Sequence, residues 1–155
     1  MMLKSRRLYL ILSGGLIGAA AVALLLIHTG GVYPGTVQYE EQGEEVQFER
    51  GVFQPERFTI NTANADETSE FLTVLAMAQA DELERAAGSS VVLLAAAGAA
   101  VLYALRMNSE TRGRRTIAVI LILAAVFIML YVFVSYPTMM EAPAETLELL
   151  ETETS

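Results

Sequence analysis

The sequence predicts a membrane α-helical protein with three transmembrane helices and a small extracellular α+β cap, a β-hairpin plus an amphipathic helix, between the first and second. Two observations predict this fold class. Hydrophobic residues make up 54% of the 155-residue chain, although its formal net charge is −8. The charged residues are also separated from three stretches without Asp, Glu, Lys, Arg or His. Because a helix crosses the hydrocarbon core with about 17 to 25 apolar residues, each stretch can supply one span.

The three uncharged stretches differ in how clearly they predict a span. The first covers residues 8–27 and the third covers residues 116–136, so they contain 20 and 21 residues. The second covers residues 89–105, only 17 residues, and is rich in alanine. A buried helix of a soluble domain is therefore the alternative for it. We favour a span because it gives the loops a consistent charge topology.

The charges between the spans predict the orientation. Residues 1–7 and the loop 106–115 together carry +6, whereas residues 28–88 carry −9 and residues 137–155 carry −5. Positive charge is retained on the cytoplasmic side of a membrane. We therefore expect a multi-pass plasma-membrane protein with a cytoplasmic N-terminus and a cytoplasmic loop between the second and third spans. The cap and the acidic C-terminal tail are expected outside the cell.

The first span follows a basic N-terminus, which is also how a cleaved signal peptide begins. Its 20 apolar residues exceed the usual 7–15 of a signal core, and no A-x-A site precedes a polar stretch, so an uncleaved signal-anchor is favoured. The run SRRLYL, residues 5–10, resembles the core of twin-arginine export signals, with Tyr9 where Phe is usual and Ile11 where Lys is common. This resemblance implies an address that an export receptor reads. An arginine pair before a first span also serves topology alone.

Residues 28–88 predict the extracellular cap. HTGGVYPG is a linker rich in Gly and Pro, after which TVQYE and EVQFER alternate apolar and polar residues on either side of Gly43. This alternation predicts a β-hairpin in which Val37 and Tyr39 share one face and Val46 and Phe48 share another. GVFQPERFTIN offers a third short strand after Pro55.

An amphipathic helix is predicted from about Asp66 to Ala87, because acidic residues begin the segment and suit a helix N-terminus. We expect Gly88 to end this helix just before the second span. Its apolar stripe needs a partner, which is the hairpin, the membrane surface or another protein. The stripe consists of Phe71, Leu72, Val74, Leu75, Ala78 and Leu83.

Small residues in the first two spans predict helix packing. Gly14 and Gly18 form a GxxxG pattern that Ala19 and Ala23 extend, and the second span offers Ala96, Gly98 and Ala100. Small residues let helix backbones approach closely in lipid. We therefore expect spans one and two to pack together or against a larger partner. The partners expected are membrane lipid and another membrane protein, or a second copy of this chain, but no nucleic acid.

Two sets of side chains are candidate ion ligands. His28 ends the first span and Met139 and Met140 follow the third, all on the expected outer side of the membrane, and imidazole with thioethers suits Cu(I). The favoured interpretation is that His28 is an interfacial polar cap and the methionines are adaptable packing, so no metal site is expected. Four glutamates could bind calcium, but a solvated hairpin tip is favoured because the D-x-D-x-D-G spacing is missing. They are Glu40, Glu41, Glu44 and Glu45.

The sequence contains no cysteine, no HExxH, GxSxG, P-loop or GxGxxG motif, and no ionisable residue other than tyrosine in the three spans. We therefore expect no catalytic residues and no cofactor. The expected function is that of a non-enzymatic accessory, assembly or structural subunit of a cell-envelope complex. The alternative is a ligand- or metal-sensing module whose cap recognises its target. A small transport or metal-handling protein is the third hypothesis.

Two further expectations concern the acidic residues. The acidic tail ending in TLELLETETS has three leucines with which it could form a short helix, but disorder is favoured. The chain has eighteen acids, nine arginines and one lysine. This balance resembles the surface composition of proteins from extreme halophiles. It implies that the outer region needs high salt to screen its charge.

Overall fold

The computed structural model describes residues 6–52, 55–64, 66–107 and 112–154. Its elements in chain order are α1 (Arg6–Gly30), β1 (Val37–Gln42), β2 (Glu45–Arg50), β3 (Glu56–Asn61), a short 3-10 helix (Thr62–Asn64), α2 (Glu67–Arg106) and α3 (Arg112–Thr154). The chain divides into two compact units. We call the described parts of Met1–Leu25 and Ser89–Ser135 the apolar unit, and those of Leu26–Gly88 and Tyr136–Ser155 the sheet unit.

Three helices are long and apolar enough to cross a membrane, as the sequence predicts. Helix α2 has 40 residues and α3 has 43. At 1.5 Å per residue these helices are about 60 and 65 Å long, about twice the thickness of a hydrocarbon core of about 30 Å. Each therefore has an apolar part that belongs to the apolar unit and a second part that belongs to the sheet unit.

Gly88 does not end the cap helix, contrary to expectation. Helix α2 runs without a break from Glu67 to Arg106, so the amphipathic segment and the second span are one helix. A glycine inside a helix costs only about 1 kcal/mol relative to alanine. Gly88 is buried, and packing of this kind stabilises a helix more strongly than propensity does.

The prediction of a disordered tail is wrong. Helix α3 continues through Pro137 and Pro143 as far as Thr154. Each proline removes one backbone hydrogen bond from the helix, yet Pro143 is fully buried and Thr146 donates its hydroxyl to Oε1 of Gln79 on α2 at 2.8 Å. The tail is ordered because Leu147 and Leu150 pack into the core of the sheet unit, where they are 2% and 0% exposed.

The hairpin prediction is confirmed, and β3 extends it to a three-stranded antiparallel sheet in the order β1-β2-β3. The register places Tyr39, Phe48 and Phe58 directly across from one another. The two apolar pairs that the sequence singles out on β1 and β2 therefore lie on one face of the sheet, together with Ile60. The turn between β1 and β2 is made by Gly43, whose φ of 69° suits glycine.

The core of the sheet unit forms on that face. Helix α2 contributes Ala76 and Ala80, α3 contributes Leu147 and Leu150, and the strands contribute Val37, Val46, Phe48 and Ile60. The Phe48 ring stacks on Phe58 with centroids 5.3 Å apart and is tilted against Tyr39 at 6.3 Å. Such aromatic pairs add about 0.5–1.5 kcal/mol beyond the area that they bury.

Asp66 caps the N-terminus of α2. Its Oδ1 accepts a hydrogen bond of 2.9 Å from the backbone N–H of Ser69, and its carbonyl accepts one from Glu70. A short polar side chain here satisfies helix donors that have no partner within the helix. Hydrogen bonds from Ser69, first the hydroxyl and then the backbone N–H, hold the pKa of Asp66 below its usual value. The acidic start of the predicted helix is thus confirmed, one residue outside α2.

We expect Gly35→Ala to destabilise the sheet unit more than Gly43→Ala. Both glycines have a positive φ, 75° and 69°, and a Cβ in this region costs about 1–2 kcal/mol. At Gly35 the added Cβ would also lie 2.9 Å from Cγ and Sδ of Met140, whereas at Gly43 nothing lies within 4 Å. Urea midpoints of the two variants measure the difference. Equal midpoints would show that Met140 moves aside freely.

Candidate functional site

The sheet unit contains a cleft of about 390 Å³. Its walls come from the end of α1, the loop after it, β1 and α2. The polar residues in these walls are His28, Thr29, Tyr33, Gln38, Tyr39, Asp81 and Glu84. The volume lies within the range of about 300–1,000 Å³ that is typical of small-molecule sites. We call this feature the polar cleft.

His28 and Glu84 form an ionisable pair among the residues that line the polar cleft. Asp81 and Glu84 are three residues apart on α2, so both side chains point to the same side of the helix. Nδ1 of His28 lies 2.9 Å from Oε1 of Glu84. The ring nitrogen carries the proton here, because a carboxylate can only accept. The side chains are 58% and 42% exposed, so water screens the attraction between them.

Two tyrosines also line the polar cleft, Tyr33 in the loop before β1 and Tyr39 within β1. The hydroxyl of Tyr39 donates to Oδ1 of Asp81 at 3.2 Å, and that of Tyr33 donates to the carbonyl of Val37 at 3.3 Å. Burial raises the pKa of Tyr33. Burial, followed by the negative charge of Asp81, raises the pKa of Tyr39. Both phenols are therefore neutral at physiological pH.

The hydrogen bonds determine which chemistry remains available in the polar cleft. Both phenol protons are engaged within the protein, and so is the Nδ1 proton of His28. A carboxylate has two acceptor oxygens, so Asp81 and Glu84 can each accept from a ligand. The cleft thus offers negative charge and hydrogen-bond acceptors. A small organic cation with N–H donors matches this arrangement.

The three candidate copper ligands have other neighbours in the structure. His28 contacts Glu84, Met140 packs close to Gly35, and Met139 is exposed. None of the contacts described for these three side chains joins His28 to a methionine. Over residues 6–52, 55–64, 66–107 and 112–154, no group of three or more His, Cys, Asp or Glu is placed to hold a metal ion.

The four glutamates of the hairpin lie at the end of β1, in the turn and at the start of β2, and all are exposed. Successive side chains of a strand point to opposite faces, so Glu40 and Glu41 cannot face one ion together. The carbonyl of Glu44 accepts hydrogen bonds from the backbone and the hydroxyl of Thr62. This geometry agrees with a solvated hairpin tip.

The small residues of the spans have different surroundings in the apolar unit. A Cβ on Gly98 would lie 3.1 Å from Leu16 of α1, so α1 and α2 approach each other at this glycine. Around Gly14 and Gly18 a Cβ would meet nothing within 4 Å. Ala19 and Ala96 are exposed, and Ala23 and Ala100 are half-buried. Near the loop, the guanidinium of Arg106 lies 4.6 Å from the ring centre of Tyr9, a cation–π contact.

A second candidate surface lies on the part of α2 that belongs to the sheet unit. Phe71 and Val74 are 65% and 61% exposed, and Ala78 is exposed beside them. They follow one another at intervals of three and four residues and so form one stripe of the helix. Four exposed charged residues border the stripe: Glu67, Glu70, Glu82 and Arg85. We call this surface the Phe71 face.

Sequence reasoning found the apolar stripe of this helix but not its division into two faces. Leu72 packs against the core with Ala76 and Ala80, whereas Phe71 and Val74 point away from it. The sequence did not predict the polar cleft, because His28 and Glu84 are 56 residues apart in the chain. Comparison of the chain with models of protein families, with curated proteins and with solved structures found no match.

Proposed function

We propose that this chain is an integral protein of the plasma membrane, with α1 retained as a signal-anchor. Its N-terminus and the loop 106–115 lie in the cytoplasm, and the sheet unit lies outside the cell. Three helices are long and apolar enough to span. The charge of +6 on the two short basic segments and of −14 on the sheet unit supports this orientation.

We propose further that the protein acts without catalysis, as an accessory, assembly or structural subunit of a cell-envelope complex. The observation that carries this proposal is the Phe71 face. It belongs to the folded sheet unit and not to the uncharged part of α2, so lipid does not account for it. Exposed apolar surface with a polar rim is typical of protein–protein contacts.

Site-specific photo-crosslinking in native membranes tests this function. A photoreactive residue in place of Phe71 is expected to give one discrete crosslinked partner. The same residue in place of Leu149 serves as the matched control, because Leu149 is also apolar and 56% exposed. A chain that gives no specific product at position 71, and that purifies as a monomer in mild detergent, would contradict the proposal.

The polar cleft supports a second candidate function, the sensing of a small ligand outside the cell. The specific observation is a cavity with two carboxylates, in which the hydroxyls of Tyr33 and Tyr39 already donate to groups of the protein. In this function the sheet unit binds a small organic cation with N–H donors. The loop 106–115 reports binding to the cytoplasm.

We expect Glu84→Gln to leave the fold nearly intact but to weaken ligand binding at least tenfold. Half-exposed side-chain pairs such as His28–Glu84 contribute less than about 1 kcal/mol, whereas the substitution removes one of the two carboxylates that attract a cation. Melting temperature is measured against a panel of primary amines, with the alcohols of the same size as neutral controls. Glu45→Gln at the hairpin tip is the matched variant. Equal shifts for amines and alcohols would contradict a cation site.

A further inference from the structure

We propose that the Phe71 face docks a basic amphipathic helix of a partner protein. This inference rests on the proposed accessory function and names the chemistry of the partner. It is carried by the apolar stripe, by the acidic residues that border it and by the charge of the sheet unit.

The apolar stripe supplies the contact area. The inner side of α2 is packed within the sheet unit, since Ala76 and Ala80 are buried in its core. Phe71 and Val74 on the outer side remain mostly in water. Burial of such side chains in a complex is favourable, because it removes apolar surface from water. Their spacing along a straight helix suits a second helix laid against α2, with its apolar residues at intervals of three and four.

The charges select the partner. Three of the four charged residues that border the stripe are acidic, Glu67, Glu70 and Glu82, and the fourth is Arg85. The whole sheet unit carries −14. A second copy of this chain would bring the same negative charge to the contact, and an anionic lipid surface would also be repelled. A helix with Lys and Arg beside its apolar stripe complements both features of the face.

The inference is tested with a synthetic helical peptide of Leu and Lys that has Leu at positions i, i+3, i+4 and i+7. Binding to the full chain is measured in phosphatidylcholine nanodiscs, with empty nanodiscs subtracted. We expect saturable binding that weakens as salt is raised. A peptide with Glu in place of Lys, and a Leu–Lys peptide of scrambled order, are expected to bind at least tenfold more weakly.

Variants of the face locate the binding site. Phe71→Ser combined with Val74→Ser is expected to weaken binding of the Leu–Lys peptide at least tenfold, and Leu149→Ser is the matched control that leaves it unchanged. Glu67→Gln combined with Glu70→Gln is expected to reduce both the affinity and its salt dependence. Hydrogen exchange of the β2 amides, unchanged in all variants, shows that the fold is retained.

The outcomes separate this inference from the function on which it rests. Unchanged peptide binding in the Phe71 and Val74 double variant overturns the inference, and so does tighter binding of the Glu peptide. Self-association of the chain that Phe71→Ser abolishes would assign the face to a second copy and overturn it too. A specific crosslink at position 71 without peptide binding would leave the accessory function standing and remove only the basic partner.

Discussion

Replacement of Leu150 by alanine is expected to lower the free energy of unfolding of the sheet unit by about 2–5 kcal/mol. The side chain is completely buried and lies in the core with Phe48, Ile60 and Leu147. Its removal leaves a cavity whose walls are held by the sheet on one side and by α2 on the other. A small unit with a single core cannot collapse around such a cavity easily.

Amide hydrogen exchange of β2 measures this loss in the intact membrane protein. The free energy of opening of the β2 amides should fall by the same amount, because they are released when the core opens. Leu149→Ala is the matched control, since the neighbouring leucine is mostly exposed. Surface substitutions of that kind change stability by no more than about 0.5 kcal/mol. Equal protection in the two variants would show that the end of α3 does not complete the core.

The helical order of the C-terminal segment is a feature that local sequence patterns do not predict. The first and third uncharged stretches and the alternating strands are local patterns, and each predicts one element by its own length or alternation. TLELLETETS has three leucines among acidic residues, and by composition it resembles a disordered tail. Its order depends on the apolar face of a sheet that begins about 100 residues earlier in the chain. No window of the sequence contains that pairing.

Helix α2 illustrates the same limit at shorter range. Its acidic start and apolar residues correctly predict a helix, but Gly88 predicts an end that the structure does not have. Local rules favour a stop at glycine, but burial of Gly88 and of Ala87 beside it stabilises an unbroken helix. The polar cleft could not be predicted for a related reason. Its ionisable pair joins the end of α1 to α2, and this proximity is created only when both pack against β1.

Phe48→Ala is expected to lower the free energy of unfolding of the sheet unit by about 3–5 kcal/mol. Phe48 lies on the middle strand, in the core that the strands share with α2 and α3. It is fully buried, it lies directly across from Tyr39 and Phe58 in the register, and its ring contacts both. Alanine would remove the ring from the centre of the sheet and both aromatic contacts with it.

The matched control for Phe48→Ala is Phe71→Ala, which removes the same atoms from a position that is mostly exposed. We expect the control to change the free energy of unfolding by no more than about 0.5 kcal/mol, so the two variants differ by several kcal/mol in the opening of the β2 amides. Phe48→Leu should recover part of the loss, because it refills the cavity without restoring the ring contacts. A large cost for Phe71→Ala would mean that this ring is already buried against the protein. The comparison of two phenylalanines thus separates the residue that holds the sheet unit together from the residue that it offers to a partner.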